Sequence, residues 1–391
     1  MNNFIPYTKQ TLEKEDIEQA TAALKEELIT RGPHAENFEK SMAHYCGAQY
    51  AVSFNSATTA LYAATFAGRV GSFDDCLTTP NSFIASAGCA ASRGAKPVFL
   101  DIDRETGNFN LDYLKYNLEK KKSRGKTVIL PVHFAGIPVD MEKLDSLIAD
   151  PNALVIEDAA HAIGSSYKDG SKVGSCKWSH MTVFSFHPAK QLTTGEGGMV
   201  LTNDEELCYR LKLYRNNGIV KEGKHLIGKE ALGYYEVHDL TGNFHLTDFQ
   251  AALGLSQLKR VDAIAEKRRV LIKEYRKLLK DVPNIKMFTK EFDDSSSFHL
   301  AVVQIDFEAF KTTREKVMFE LKEKGIGTQC HYIPIYRHPV FSKVSGDINE
   351  YFPEMERYYA QALSLPLYTN LKLEEVNYVV NSLKQVLQLS Q

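Results

Sequence analysis

The sequence predicts an α/β protein: a large lobe built on a mixed, mostly parallel sheet, followed by a smaller α+β lobe at the C-terminal end. Three observations predict it. Short apolar runs alternate with helical stretches from Cys76 to Glu157, the rhythm of a parallel sheet covered by helices. Two further strand-like runs, Met181–Phe186 and Gly198–Thr202, follow with little helix between them. A long amphipathic pattern, Leu246–Leu279, then leads into a second set of elements.

An extended start, Phe4–Tyr7, precedes a helix expected over Lys14–Thr30, where Ile17, Ala20, Ala23, Leu24 and Leu28 recur at helical spacing. Ser56–Phe66 reads as a helix capped by Asn55 or Ser56. Strands are expected at Cys76–Pro80, Pro97–Asp101, Thr127–Val132 and Leu154–Glu157, with helices at Ser82–Arg93, Leu111–Lys120 and Met141–Ala149 between them. The runs Met181–Phe186 and Gly198–Thr202 form a hairpin-like excursion that carries Lys190 back across the sheet edge. The pattern Leu246–Leu279 is long enough to connect two lobes. Phe298–Ile305 then reads as a strand, with Lys311–Lys324 and Leu373–Leu387 as helices. The expected division is residues 1–255 for the large domain, N-terminal segment included, and 256–391 for the small one.

Composition narrows the function classes. A chain of 391 residues can bury a core without disulfide or metal staples. A formal net charge of −2 argues against a nucleic-acid footprint. The six cysteines include no Cys-x-x-Cys pair and read as reduced thiols; the twelve histidines form no ligand motif, so no metal is expected. The first ten residues lack a basic stretch followed by an apolar run. The longest stretch free of charged side chains, Ser41–Gly68, is too polar for a membrane span. A cytoplasmic protein is expected.

Taken singly, the candidate site residues have ordinary explanations. Asp158 ends an apolar strand, where a helix cap or turn residue is common; Lys190 lies in a loop, where a lysine is usually a solvated charge. Together they supply what pyridoxal 5′-phosphate (PLP) chemistry requires: an amine to carry the cofactor, and a carboxylate at a strand's carboxyl end to keep the ring nitrogen protonated. Asn55-Ser56-Ala57-Thr58-Thr59 is a small-residue turn into a helix, whose free N–H groups suit a phosphate, and Ser185 offers a hydroxyl. The glycines of Gly195-Glu196-Gly197-Gly198 permit a tight return after Lys190.

These blocks resemble the DegT/DnrJ/StrS aminotransferases, PLP enzymes of nucleotide-sugar biosynthesis with the fold-type I, aspartate aminotransferase-like architecture. The resemblance runs from about Phe4 to Pro366. It includes Thr30-Arg31-Gly32, Pro80-Asn81-Ser82-Phe83-Ile84-Ala85, His133-Phe134-Ala135-Gly136 and Glu157-Asp158-Ala159-Ala160-His161. Phe184-Ser185-Phe186-His187-Pro188-Ala189-Lys190 and Gly242-Asn243-Phe244-His245-Leu246 belong to it as well. Within the family, Thr193–Gly198 and Gln329-Cys330-His331-Tyr332-Ile333-Pro334-Ile335-Tyr336 look like the subgroup of pseudaminic acid biosynthesis.

The resemblance implies PLP on Lys190, alternating with pyridoxamine 5′-phosphate, and Asp158 at the pyridine nitrogen. It places His161 near the phenolic oxygen and Phe83 on the ring face. Ser56, Ala57, Thr58 and Ser185 would hold the phosphate, with Asn243 reaching it from the other subunit of a homodimer. Tyr7, Arg31, His187, Glu196, His331, Tyr332 and Tyr336 are expected around the sugar nucleotide. The implied reaction moves the amino group of L-glutamate to C4 of a UDP-linked 4-keto-6-deoxy-N-acetylhexosamine. Relatives that remove a sugar hydroxyl carry His where Lys190 stands, so the lysine favours amine transfer. His161 stands where many relatives carry Gln. His245 stands where many carry Arg, and is expected to be only partly protonated near neutral pH. Another keto sugar, of perosamine or legionaminic type, and a catalytically idle sensor are the alternatives.

Overall fold

The computed structural model describes residues 4–120, 125–221, 223–288, 290–345 and 349–389. Seven strands form the main sheet: β1 (Tyr50–Phe54), β2 (Asp75–Thr78), β3 (Lys96–Phe99), β4 (Thr127–Leu130), β5 (Leu154–Asp158), β6 (Met181–Ser185) and β7 (Gly198–Thr202), in the order β1-β7-β6-β5-β4-β2-β3. Strands β3, β2, β4, β5 and β6 are parallel neighbours, whereas β7 runs antiparallel to both β6 and β1. The sheet is apolar on both faces, as a helix-covered sheet must be. Leu77, Ile129, Val155 and Phe184 pack on one side; Val52, Val128, Ile156 and Val183 pack on the other.

The large-lobe helices are α1 (Lys14–Ala23), α2 (Pro33–Cys46), α3 (Ala57–Ala67), α4 (Ala85–Ala91), α5 (Leu111–Lys120), α6 (Met141–Ser146), α7 (Glu205–Arg215) and α8 (Asp248–Leu258). A short hairpin, β8 (Ile219–Val220) with β9 (Glu236–Val237), projects between the last two. Helix α9 (Val261–Leu279) leads into the small lobe, where β10 (Ile285–Met287), β11 (Ala301–Ile305) and β12 (Ala362–Leu365) form an antiparallel sheet. Helices α10 (Arg314–Glu323), α11 (Pro339–Ser345), α12 (Pro353–Gln361) and α13 (Leu373–Val386) complete it.

The predicted architecture is therefore present, with several corrections to its parts. The first helix stops at Ala23 instead of Thr30: Leu24 and Leu28 keep the helical spacing but remain exposed, with no surface to pack on. The 246–279 pattern is two helices, broken at Arg260 (φ −114°, ψ 5°). The strand expected from Phe298 begins at Ala301, because Phe298 takes φ +43°, outside the extended region. Helices α2 and α7 and strand β1 were not anticipated. The start of α2 is capped by a residue far along the chain: the Asp248 carboxylate accepts from the N–H groups of Gly32, His34 and Ala35. The expected boundary at 255/256 falls inside α8, which packs on α1 and α2. We propose the joint at Lys259–Arg260 as the boundary.

Candidate active site

The carboxyl ends of β5 and β6 and the N-terminus of α3 meet over the sheet. Asp158 ends β5 and is buried; Ser86 Oγ donates to its Oδ2 at 2.6 Å and Ala160 N–H to its Oδ1 at 3.1 Å. Ser82 extends this hydroxyl chain, 2.7 Å from Ser86. Among the described residues no cationic side chain forms an ion pair with Asp158. A buried carboxylate held by neutral donors alone is poorly compensated, and a cation placed beside it would be strongly favoured.

Ser56 caps α3, accepting from Thr59 N–H at 3.1 Å. The N–H groups of Ala57 and Thr58 lie in the first turn, where helix geometry provides no acceptor. Gly198, paired with Ser185 on β6 and Phe54 on β1, lies against this turn. A Cβ at 198 would stand 2.5 Å from Ala57 N and from the Ser56 carbonyl group. The buried Ser185 hydroxyl accepts from His187 N–H at 3.4 Å. Phe83 is 58% exposed beside Ser82, leaving its ring free to cover a planar ligand.

The β6–β7 connection returns Lys190 to this place as expected. Its surface is only partly covered, as for a group that opens on a crevice, yet its amine lies deep in the fold. Desolvation lowers its pKa to about 8, against an attraction to Asp158 that raises it and a repulsion from Arg268 that lowers it further. The nearest basic neighbour is His299, Nε2 to Nζ 3.3 Å. His161 accepts the Ala135 N–H at Nδ1 (3.3 Å), so its neutral ring carries the proton on Nε2 and donates to the Tyr332 hydroxyl at 3.1 Å. Burial, then the charge of Lys190, holds His161 well below the usual histidine range.

His331 lies within ring contact of Tyr7 and Tyr332, centroids 5.8 and 4.8 Å away, with Nδ1 2.8 Å from Ser364 Oγ. Burial lowers its pKa to about 3, and burial raises that of Tyr7. His187 is exposed at the start of the Lys190 turn; its Nδ1 accepts from Ala189 N–H. Glu196 is exposed, and among the described residues only its backbone carbonyl is engaged, by Thr194 and Gln250. Tyr336 was also expected around the sugar nucleotide. Its ring is buried in the small lobe, stacked on Phe352, and its hydroxyl donates to Glu356 at 2.7 Å, so packing accounts for it.

Arg31 and His245 both meet Asn216 Oδ1, at 2.9 and 3.2 Å, beside the exposed Asn243. Burial, then Arg215 and Arg31, lowers the His245 pKa to about 4. The expectation of partial protonation is thereby corrected: His245 is neutral at physiological pH. Sequence reasoning missed Ser86, Arg268 and His299. His299 lies in none of the blocks that carry the family resemblance and in no metal-ligand spacing. A cleft of about 760 Å³ lined by Tyr167, Trp178 and Phe292 lies apart from Lys190 and contains none of these site residues.

A lysine amine, a strand-end carboxylate and a helix N-terminus, converging on one side of an open α/β sheet, define a site for a phosphorylated cofactor held through an amine. The sequence profile of the DegT/DnrJ/EryC1/StrS aminotransferase family matches residues 10–384, and the chain belongs to that family of PLP-dependent nucleotide-sugar aminotransferases. It is 35% identical over 386 residues to the spore coat polysaccharide biosynthesis protein SpsC of Bacillus subtilis, covering 98% of this chain and 97% of that protein. It is 35% identical over 384 residues to the UDP-4-amino-4,6-dideoxy-N-acetyl-beta-L-altrosamine transaminase of Campylobacter jejuni, covering 98% of each. Among solved structures it is similar to Helicobacter pylori PseC, an aminotransferase of pseudoaminic acid biosynthesis (TM-score 0.88, 31% identity, 99% and 100% of the two chains). The sugar aminotransferase Spr1654 of Streptococcus pneumoniae, solved in its PLP form, is also similar (TM-score 0.87, 26% identity, 98% and 99%). No helix among the described residues is long and apolar enough to cross a membrane.

The residues present fit PLP. Asp158 offers a buried carboxylate without an ion-pair partner among the described residues, α3 offers open N–H groups packed against Gly198, and Lys190 offers an amine with a lowered pKa.

Proposed function

We propose that the protein transfers the amino group of L-glutamate to C4 of a UDP-linked 4-keto-6-deoxy-N-acetylhexosamine, as a transaminase of pseudaminic acid biosynthesis. The carrying observation is Lys190, a desolvated amine set near Asp158 and titrating near pH 8. Bound at this site, PLP supplies an electron sink for a carbanion and a temporary store for the amino group.

The chain's own residues do the rest. Lys190 would hold the cofactor through its amine, and that amine, when free, would take a proton from the donor's Cα at Nζ. A lysine pKa near 8 leaves a useful fraction of free base at neutral pH, where an ordinary lysine offers almost none. Asp158 keeps the ring nitrogen cationic. Ser56, Ala57, Thr58 and Ser185 would anchor the phosphate, Phe83 would cover the ring, and His161, joined to Tyr332, would lie near the phenolic oxygen. Tyr7, Arg31, His187, Glu196, His331 and Tyr332 surround the sugar nucleotide.

Asn243 serves the phosphate of a second subunit in a homodimer. Its exposure supports this reading, as do the uncovered Ile227, Leu232 and Leu240 of the neighbouring hairpin region. The substrate assignment rests on the likeness to the Campylobacter jejuni transaminase. The equal identity to SpsC favours, as a second reading, another nucleotide keto sugar.

The test is to supply purified enzyme with glutamate and the C4-keto product of a UDP-N-acetylglucosamine dehydratase. The expected result is a 4-amino sugar, with a yellow chromophore that borohydride bleaches. A chromophore without that amino sugar, together with turnover of another keto sugar, selects the second reading. Absence of the chromophore refutes the proposal entirely.

A further inference from the structure

His299 touches the amine on which the chemistry turns. It lies between the polar turn 293–297 and β11, buried, with Nε2 3.3 Å from Lys190 Nζ. Its ring centroid is 4.3 Å from that of His161, and its Nδ1 has no partner among the described residues. The hydrogen-bonding capacity of this imidazole is directed at one atom. Burial, then Lys190, His161, Arg268 and His331, keeps it well below the usual histidine range, so it is a neutral ring at physiological pH.

The segment carrying His299 is fastened to the large lobe from several sides. His299 N–H donates to Ala135 O at 2.7 Å. Ser297 N–H donates to Ser165 Oγ at 2.9 Å, and Gln191, the residue after Lys190, donates to both Ser297 Oγ (2.9 Å) and His161 O (2.8 Å). From α9 the buried Arg268, without a carboxylate partner among the described residues, reaches the carbonyls of Phe298 and His299 (both 3.3 Å) and Leu367 (3.4 Å). Gly136 makes the approach possible: a Cβ there would lie 3.0 Å from Phe298 N and 3.1 Å from His299 N, at a φ of +91°.

We propose that His299 is a positioning residue of the amino-transfer reaction, its Nε2 holding the Lys190 amine in place whenever that amine is released. The inference rests on Lys190 being the reacting amine, as proposed above. A freed lysine has a flexible four-carbon stem, and a base that wanders loses the orientation that makes proton transfer fast. The other titratable or charged groups around the amine are Asp158, Arg268, His161, His331 and Tyr332. Asp158 is taken up by Ser86 and Ala160, Arg268 repels an ammonium, His161 and Tyr332 are bonded to each other, and His331 is joined to Ser364. His299 remains to hold the amine without charging it.

The test compares holoenzyme with His299→Leu and His299→Gln in the amino-donor half-reaction, using ordinary and α-deuterated glutamate. Loss of one such hydrogen bond predicts a single-turnover rate about 10-fold lower in His299→Leu. The deuterium effect should grow, donor binding should stay unchanged, and His299→Gln should recover most of the rate. An unchanged rate and isotope effect in His299→Leu overturns the proposal; so does a loss confined to donor or cofactor binding. Histidine ¹⁵N spectra of the cofactor-free protein, with His299 assigned by its loss in His299→Gln, test the contact without turnover. The resonance should stay in the neutral range, follow a midpoint near pH 8, and lose that inflection in Lys190→Ala. An imidazolium signal, or indifference to Lys190→Ala, overturns the contact. Failure of glutamate as donor with the spectra as expected counts against the proposed substrate and not against His299.

Discussion

Replacing Lys190 by methionine removes a titrating group while keeping a long, unbranched stem. Folding moves this amine from its ordinary value of 10.5 to about 8. Each pKa unit corresponds to about 1.4 kcal/mol, so the charged amine costs the cofactor-free fold roughly 3 kcal/mol. Because the folded pKa lies below the unfolded one, the unfolded chain binds more protons between pH 8 and 10.5. Stability therefore rises with pH through that window, and below pH 8 the whole penalty is present. Lys190→Met lacks this dependence. Urea unfolding of both cofactor-free proteins should show the variant gaining relative to the parent at pH 7, with the difference shrinking by roughly 3 kcal/mol toward pH 10.5. His161, His299 and His331, whose pKa values the Lys190 charge lowers, are already neutral across this window, so the remaining groups cancel and any packing difference is a constant offset. A difference that stays flat across the window would refute a desolvated Lys190, and with it the account of how this lysine becomes a base.

Gly198→Ala should weaken cofactor retention. The new Cβ meets backbone atoms of Ser56 and Ala57 at 2.5 Å, and overpacking of this kind costs about 1–3 kcal/mol, a PLP affinity lower by roughly 5- to 150-fold in a spectroscopic titration. An unaltered affinity would remove the α3 turn from the phosphate site. Asn243→Ala should also lose PLP on dilution, whereas Lys190→Ala should keep it but not turn over. Mixing the two inactive proteins should restore part of the activity through hybrid dimers with one intact site; no recovery would count against a residue supplied by the second subunit.

What the sequence made legible was whatever local pattern encodes. Asp158, Lys190, the α3 turn and Ser185 were readable because strand ends, glycines and small-residue turns leave a residue-level signature. The same is true of the strand–helix alternation from β2 to β5. Elements defined from a distance were not readable. Helix α2 begins where it does because Asp248 supplies acceptors for its first N–H groups, and nothing near Gly32 announces that. His299 looked like any strand-edge histidine, since its meaning lies in the 3.3 Å to Lys190. Tyr336 is a second residue whose surroundings its own segment does not announce. It shares a segment with His331 and Tyr332, but the chain turns it into the small-lobe core, where Phe352 and Glu356 occupy it.

The contacts of the first helices also bear on how the chain is made. Asp16 on α1 is fully buried and receives Ser256 Oγ at 2.6 Å and Arg260 at 2.8 Å, while α2 is capped by Asp248. Further out, Ile5 N–H donates to Gly325 O, and Leu367 N–H to Tyr7 O. On a ribosome the N-terminal segment emerges before the groups that satisfy it, which follow about 216 to 360 residues later. Sheet strands β2 to β5 can pair among themselves in the meantime. Residues 5–46 therefore cannot complete these contacts until residues 248–367 have been synthesised.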